Sequence, residues 1–204
     1  MPRVLMIVVL AASVAAGMWL SRLLLPPERP AAEAPDPTAV QMRASAAQAE
    51  TGDFSLPDLA GQTRTLADWE GELRVINFWA TWCAPCRREI PLLKEIQAQH
   101  GDAGIQVIGI AVDDPEPVAD YAAEMEFNYP VLIGQEEAIA AAESFGIDFL
   151  GLPFTLIVTP DGELLNVHVG EFNRDQAGSM ASILRDFLDG SLPAEQAREA
   201  LAGI

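Results

Sequence analysis

Cysteine and histidine are scarce: the 204 residues carry only Cys83 and Cys86, and only His100 and His168. Two cysteines cannot staple a small fold, and with two isolated histidines they cannot supply the four ligands of a structural zinc site. Basic residues are few as well, 12 Lys and Arg against 30 Asp and Glu, for a net charge of −18. Over residues 51–190 there are 24 acids against seven bases. Such a surface repels nucleic acid and anionic headgroups and keeps a domain soluble. No internal repeat is evident. What remains, half of it hydrophobic, is enough for one good core plus appendages.

The first appendage is apolar. Val4 to Leu25 contains no acid and a single base, Arg22. As a helix at about 1.5 Å per residue it would reach about 33 Å, the thickness of a hydrocarbon layer. Arg22 can snorkel and Trp19 lies near the same boundary. A cleaved leader ending at the small residues Val14-Ala15-Ala16 would leave Met18-Trp19-Leu20 and Leu23-Leu24-Leu25 on the mature end, so the reading favours an uncleaved anchor over residues 1–25. Residues 26–50, rich in Pro and Ala, read as a tether. An amino-terminal anchor followed by the whole soluble part is the signal-anchor layout, which predicts a domain outside the cytoplasm. That domain is expected over 51–190, with 191–204 a tail that Ser191 and Pro193 could start as a short helix.

Within the domain, turn residues Asp58–Gln62 between Phe54-Ser55-Leu56 and Arg64-Thr65-Leu66 predict a hairpin. Strands are expected at 73–79, 105–112, 129–133, 154–159 and 163–169. Helices are expected from about Cys86 to His100, and over 115–127, 136–145 and 175–188. Ile105–Val112 is apolar without interruption, the mark of a strand covered on both faces. Strands alternating with helices, closed by a hairpin and a helix, predict an α/β domain with a mixed central sheet and helices on both faces.

The two cysteines sit at the seam of this pattern, in Trp82-Cys83-Ala84-Pro85-Cys86, after a buried-strand run and before Ile90, Leu92, Leu93 and Ile96 at helical spacing. Cys83 then falls at a helix start, where free N–H groups and the helix dipole favour thiolate over thiol. A purely structural disulfide across so small a ring would stabilise little. The pattern predicts redox chemistry, with Cys83 the nucleophile and Cys86, further in, the resolving thiol. A peroxidatic cysteine would need Thr three residues earlier, whereas Thr81 stands two before Cys83. A copper-binding module would want wider Cys spacing and a well-placed His.

The run Val75-Ile76-Asn77-Phe78-Trp79-Ala80-Thr81-Trp82-Cys83-Ala84-Pro85-Cys86-Arg87-Arg88-Glu89-Ile90-Pro91 resembles the membrane-anchored thioredoxin-like proteins of the TlpA/ResA/DsbE type. So do Phe54–Gln62, similar to that family's entry hairpin, and Gly151-Leu152-Pro153-Phe154, similar to its cis-proline loop. The resemblance implies a thioredoxin-like fold with 115–133 as an added helix and strand, and a cis Leu152–Pro153 bond. It implies a redox-active Cys83–Cys86 disulfide, and Trp82, Pro85, Leu152 and Pro153 as the rim that supports a partner chain. Glu89 matches an acid this branch keeps near its cysteines; one turn from Cys86, it could accept a proton. Two departures stand out. Asn77 replaces the buried Asp of plain thioredoxins, and Phe154 follows the proline where the DsbE branch usually has Glu.

No cofactor or metal is implied. The implied partners are protein disulfides, such as apocytochrome c or a metal-centre assembly protein, and a membrane electron donor of the DsbD/CcdA kind. The implied location is the bacterial cytoplasmic membrane, with the domain on the periplasmic side. The alternatives are a disulfide oxidase or isomerase of the same fold, or a metal-binding, copper-delivery module of thioredoxin-like fold.

Overall fold

The computed structural model describes residues 52–149 and 151–204; the expected anchor and tether lie outside them. Among the described residues no helix is long and apolar enough to cross a membrane. A small hairpin, β1 (Ser55–Pro57) and β2 (Thr63–Thr65), comes first, tied by a bridge from Asp58 to Leu132 onto the main sheet. The chain then runs β3 (Leu73–Trp79), α1 (Ala84–His100), β4 (Ile105–Val112), α2 (Pro115–Met125), β5 (Val131–Gly134), α3 (Glu136–Ser144), β6 (Phe154–Val158), β7 (Leu164–Val169), α4 (Arg174–Leu188) and α5 (Ala194–Leu201). The sheet order is β5-β4-β3-β6-β7. β4 lies parallel to β3 and to β5, while β6 runs antiparallel to β3 and to β7.

β3 is the central strand and every one of its residues is buried. The two-residue period of a strand deals its side chains to opposite faces. Leu73, Val75 and Trp79 join one hydrophobic cluster, with α1, α4 and α5, while Ile76 and Phe78 join another under α3 and the hairpin. This is the three-layer α/β arrangement expected from the alternating pattern, and the inserted α2 and β5 extend the sheet at its edge.

The core reaches beyond residue 190. Ala197 and Leu201 of α5 are buried in the same cluster as α1 and α4, so the segment expected as a tail is part of the packed structure. At eight residues the helix is too short to hold by itself, and packing against α4 and β7 supplies what propensity does not.

Candidate active site

The register of the sheet brings the redox pair and the cis-proline loop to one end. β3 runs out at Trp79, and Phe78 pairs with Phe154, the first residue of β6. The loop before β6 therefore ends beside the turn that leaves β3. The Leu152–Pro153 bond is cis. Pro153 is buried and Leu152 half-buried.

After β3 the chain turns sharply, with the Cys83 N–H donating to the Ala80 carbonyl at 3.2 Å. Asp113, at the end of β4, holds this turn: its Oδ2 accepts from the Thr81 N–H at 2.9 Å and from the Thr81 hydroxyl at 2.5 Å. Cys83 is the N-cap of α1, and Pro85 stands within the first two helical positions, where the missing N–H costs no internal bond. The Cys83 sulfur accepts from the Cys86 N–H at 3.3 Å. A helix N-terminus thus directs a donor at this sulfur, an arrangement that stabilises a thiolate once the disulfide is opened.

The two cysteines form a disulfide with Cα atoms 5.3 Å apart. In this oxidised state Cys83 is 5% exposed and Cys86 fully buried. The difference is small and favours Cys83 as the accessible sulfur. Beside them Trp82 is 70% exposed, an apolar surface that a solvated fold would otherwise cover. Arg87 lies over the Tyr121 ring at 5.0 Å, linking α1 to the inserted α2.

Glu89 is the buried group of the site. It lies on the same helix face as Cys86, one turn on, and is fully shielded from solvent. Its two oxygens each accept one hydrogen bond, from Asn77 Nδ2 at 2.8 Å and from the Phe172 N–H at 2.9 Å. Asn77 Nδ2 also donates to Thr155 Oγ1 at 3.0 Å, from the paired position on β6. Burial outweighs these two donors and pushes the Glu89 carboxyl up to about 7. Nearby polar atoms do not relieve it: Asn77 Oδ1, Trp79 Nε1 and the Tyr129 hydroxyl are buried and have no hydrogen-bond partner. Burial also drives the Tyr129 hydroxyl well above its usual range, and the charge of Glu89 adds to that.

Every residue singled out from the sequence thus falls at one end of the sheet or on the first turns of α1. Sequence reasoning missed three partners. Asn77 was notable only as a missing acid, yet it is the side chain that holds Glu89. Asn77 and Thr155 are polar residues inside largely apolar runs, and that was a usable signal. Phe172 acts through its backbone N–H, which no residue pattern announces. Among the described residues no cluster of three or more His, Cys, Asp or Glu is placed to hold a metal ion.

Comparison with known proteins agrees with this geometry. Residues 47–167 match the model of the AhpC/TSA family. The thiol-disulfide oxidoreductase ResA of Geobacillus kaustophilus is 29% identical over 124 residues, covering 60% of this chain and 69% of that protein. A thioredoxin-family thiol:disulfide interchange protein of Chlorobium tepidum superposes with a TM-score of 0.56 at 30% identity, over 64% of this chain and 93% of the other. A second protein of that organism, assigned as the interchange protein DsbE, superposes with a TM-score of 0.56 at 25% identity, over 75% and 96%. With a disulfide at the start of a helix beside a cis-proline loop, the chain belongs to the AhpC/TSA family and is a thiol-disulfide oxidoreductase of thioredoxin-like fold.

Proposed function

We propose that the protein reduces disulfides of specific protein partners on the outer side of a bacterial cytoplasmic membrane, tethered there by residues 4–25. The observation that carries the reading is the pairing of an N-capping Cys83 with a buried, near-neutral Glu89 on the same helix. In the reduced protein the Cys83 thiolate attacks one sulfur of the partner's disulfide. A mixed disulfide forms and the partner's other sulfur leaves as thiolate, to be protonated. Cys86 then gives its proton to the Glu89 carboxylate and attacks the Cys83 sulfur. The Cys83–Cys86 disulfide closes and the partner leaves with both thiols reduced. Two electrons and two protons from a membrane dithiol donor of the DsbD/CcdA kind reset the pair.

Trp82, Pro85 and the Leu152–Pro153 loop form the rim for the partner's extended backbone. Apocytochrome c and metal-centre assembly proteins are the partner classes that the family resemblance implies; Phe154 after the proline, in place of Glu, weighs for the second. An oxidase would use the same atoms in the opposite direction, which a reduction potential above that of its partners would reveal, whereas an isomerase would return both electrons to the same partner with no net change.

The test is Cys86→Ser in the full chain. It should accumulate a thiol-reversible adduct with the partner in the membrane fraction, absent when Cys83→Ser is added. No adduct, or an adduct confined to the soluble fraction, would overturn the reading.

A further inference from the structure

The segment between β7 and α4 is only four residues long, yet three of them in succession each reach a different part of the site. Gly170 turns the chain with φ of +104°, in the region that favours glycine, and its N–H donates to the Pro153 carbonyl at 2.9 Å. Glu171 accepts from Arg88 of α1, Nε at 2.8 Å and Nη2 at 2.7 Å, both on Oε2. Phe172 donates its N–H to Glu89 Oε2 at 2.9 Å. The Phe172 ring is buried and stacks on His168 of β7, centroids 3.9 Å apart and planes within 15°. Asn173 follows directly as the N-cap of α4, with its capping box closed by Gln176.

We propose that Gly170–Phe172 is a strap that couples the partner-facing loop at Leu152–Pro153 to the carboxylate of Glu89, with Arg88 and Phe172 as positioning residues. The strap is short and held at both ends, so a displacement of the Pro153 carbonyl reaches the Phe172 N–H through two peptide units. A hydrogen bond to a carboxylate is about twice as strong as one to a neutral acceptor, so the Phe172 N–H favours ionised Glu89 over the protonated acid. A partner chain lying against the Pro153 loop therefore alters the proton affinity of Glu89. By linkage, ionisation of Glu89 alters the loop's affinity for the partner by the same factor. This rests on the reading of Glu89 as the proton acceptor for Cys86.

Glu89 meets Asn77 on β3 and the Phe172 N–H directly, and the charge of Glu171 and the hydroxyl of Tyr129, ahead of β5, act on it from a distance; Thr155 on β6 stands behind Asn77, and Arg88 pairs with Glu171. His168 stands behind Phe172. In the oxidised chain the cysteines do not titrate.

The experiment follows the Glu89 side-chain carboxyl carbon and the amides of Phe172 and Gly170 by NMR, in the full-length oxidised chain, as pH is varied. In the wild type both amides should report the Glu89 midpoint, near 7. Phe172→Leu changes no charge and frees the strap, so the Glu89 midpoint should rise, with proton affinity up by roughly 3- to 10-fold. Arg88→Ala should move it the same way, because it both loosens the strap and leaves Glu171 unneutralised. Arg174→Ala, which breaks an exposed pair with Glu95 elsewhere on α1, should not move it. A Gly170 amide that ignores the midpoint while Phe172 follows it would overturn the coupling, with no variant needed. So would an unmoved midpoint in Phe172→Leu. If the coupling is seen but Glu89→Gln reduces disulfides at the normal rate, the proton role of Glu89 falls and the strap stands.

Discussion

Replacing Glu89 with Gln should abolish a pH dependence of stability that the buried carboxyl builds into the fold. The carboxyl is raised from 4.5 to about 7, chiefly by burial. Below pH 4.5 the group is protonated whether the chain is folded or not, and stability is complete. As pH rises from 4.5 to about 7 the unfolded chain ionises while the folded one keeps its proton, so folding loses ground, and the loss levels off above about 7. At about 1.4 kcal/mol for each tenfold change in proton affinity, this interval amounts to about 3 kcal/mol.

Glutamine cannot ionise, and it keeps one carbonyl for the donors of Asn77 and Phe172. The stability of the wild type minus that of Glu89→Gln should therefore fall by about 3 kcal/mol between pH 4 and pH 8. Urea unfolding of the oxidised chain over that range measures it, since the cysteines are then silent. Taking the difference also cancels His168, which burial holds below its ordinary range and which works the opposite way: its contribution is present above pH 6.5 and lost as pH falls. A difference flat to within about 1 kcal/mol, larger than the usual extrapolation error, would mean that water reaches Glu89 and that the buried-acid argument is wrong. The same variant should slow disulfide reduction by roughly 10-fold or more, because a base poised near neutral pH has been removed.

Two further outcomes follow from the site. Alkylation of the reduced protein near neutral pH should modify Cys83 before Cys86, since Cys83 caps the helix and is the more exposed sulfur; equal rates at the two would refute the assignment of roles. Asp113→Ala should lower stability by roughly 2 kcal/mol, the scale of hydrogen bonds to a charged acceptor, because both donors of Thr81 lose it; an unchanged urea midpoint would show that the turn before Trp82 needs no such anchor.

Much of this protein was legible in one dimension, because local chemistry is written in residue order. The apolar run 105–112, the helical period after Cys86 and the turn residues Asp58–Gln62 are short-range signals, and the elements lie where those signals put them. The Trp-Cys-Ala-Pro-Cys seam likewise placed Cys83 at a helix start, where backbone donors must be free. What the order of residues could not decide is which polar groups share an interior. Glu89 reads as a solvated helix carboxylate or as a proton acceptor one turn from Cys86 until α1 is laid on the sheet. Only then do Asn77, twelve positions back, and the Phe172 amide, 83 positions on, close around it. The tail after Gly190 was ambiguous for the same reason, since Ala197 and Leu201 become core only once α4 and β7 offer them a surface. Propensity and spacing act over a few residues, whereas desolvation depends on everything packed within several ångströms. The acidity of Glu89, and with it the candidate proton chemistry of the site, belongs to the tertiary structure alone.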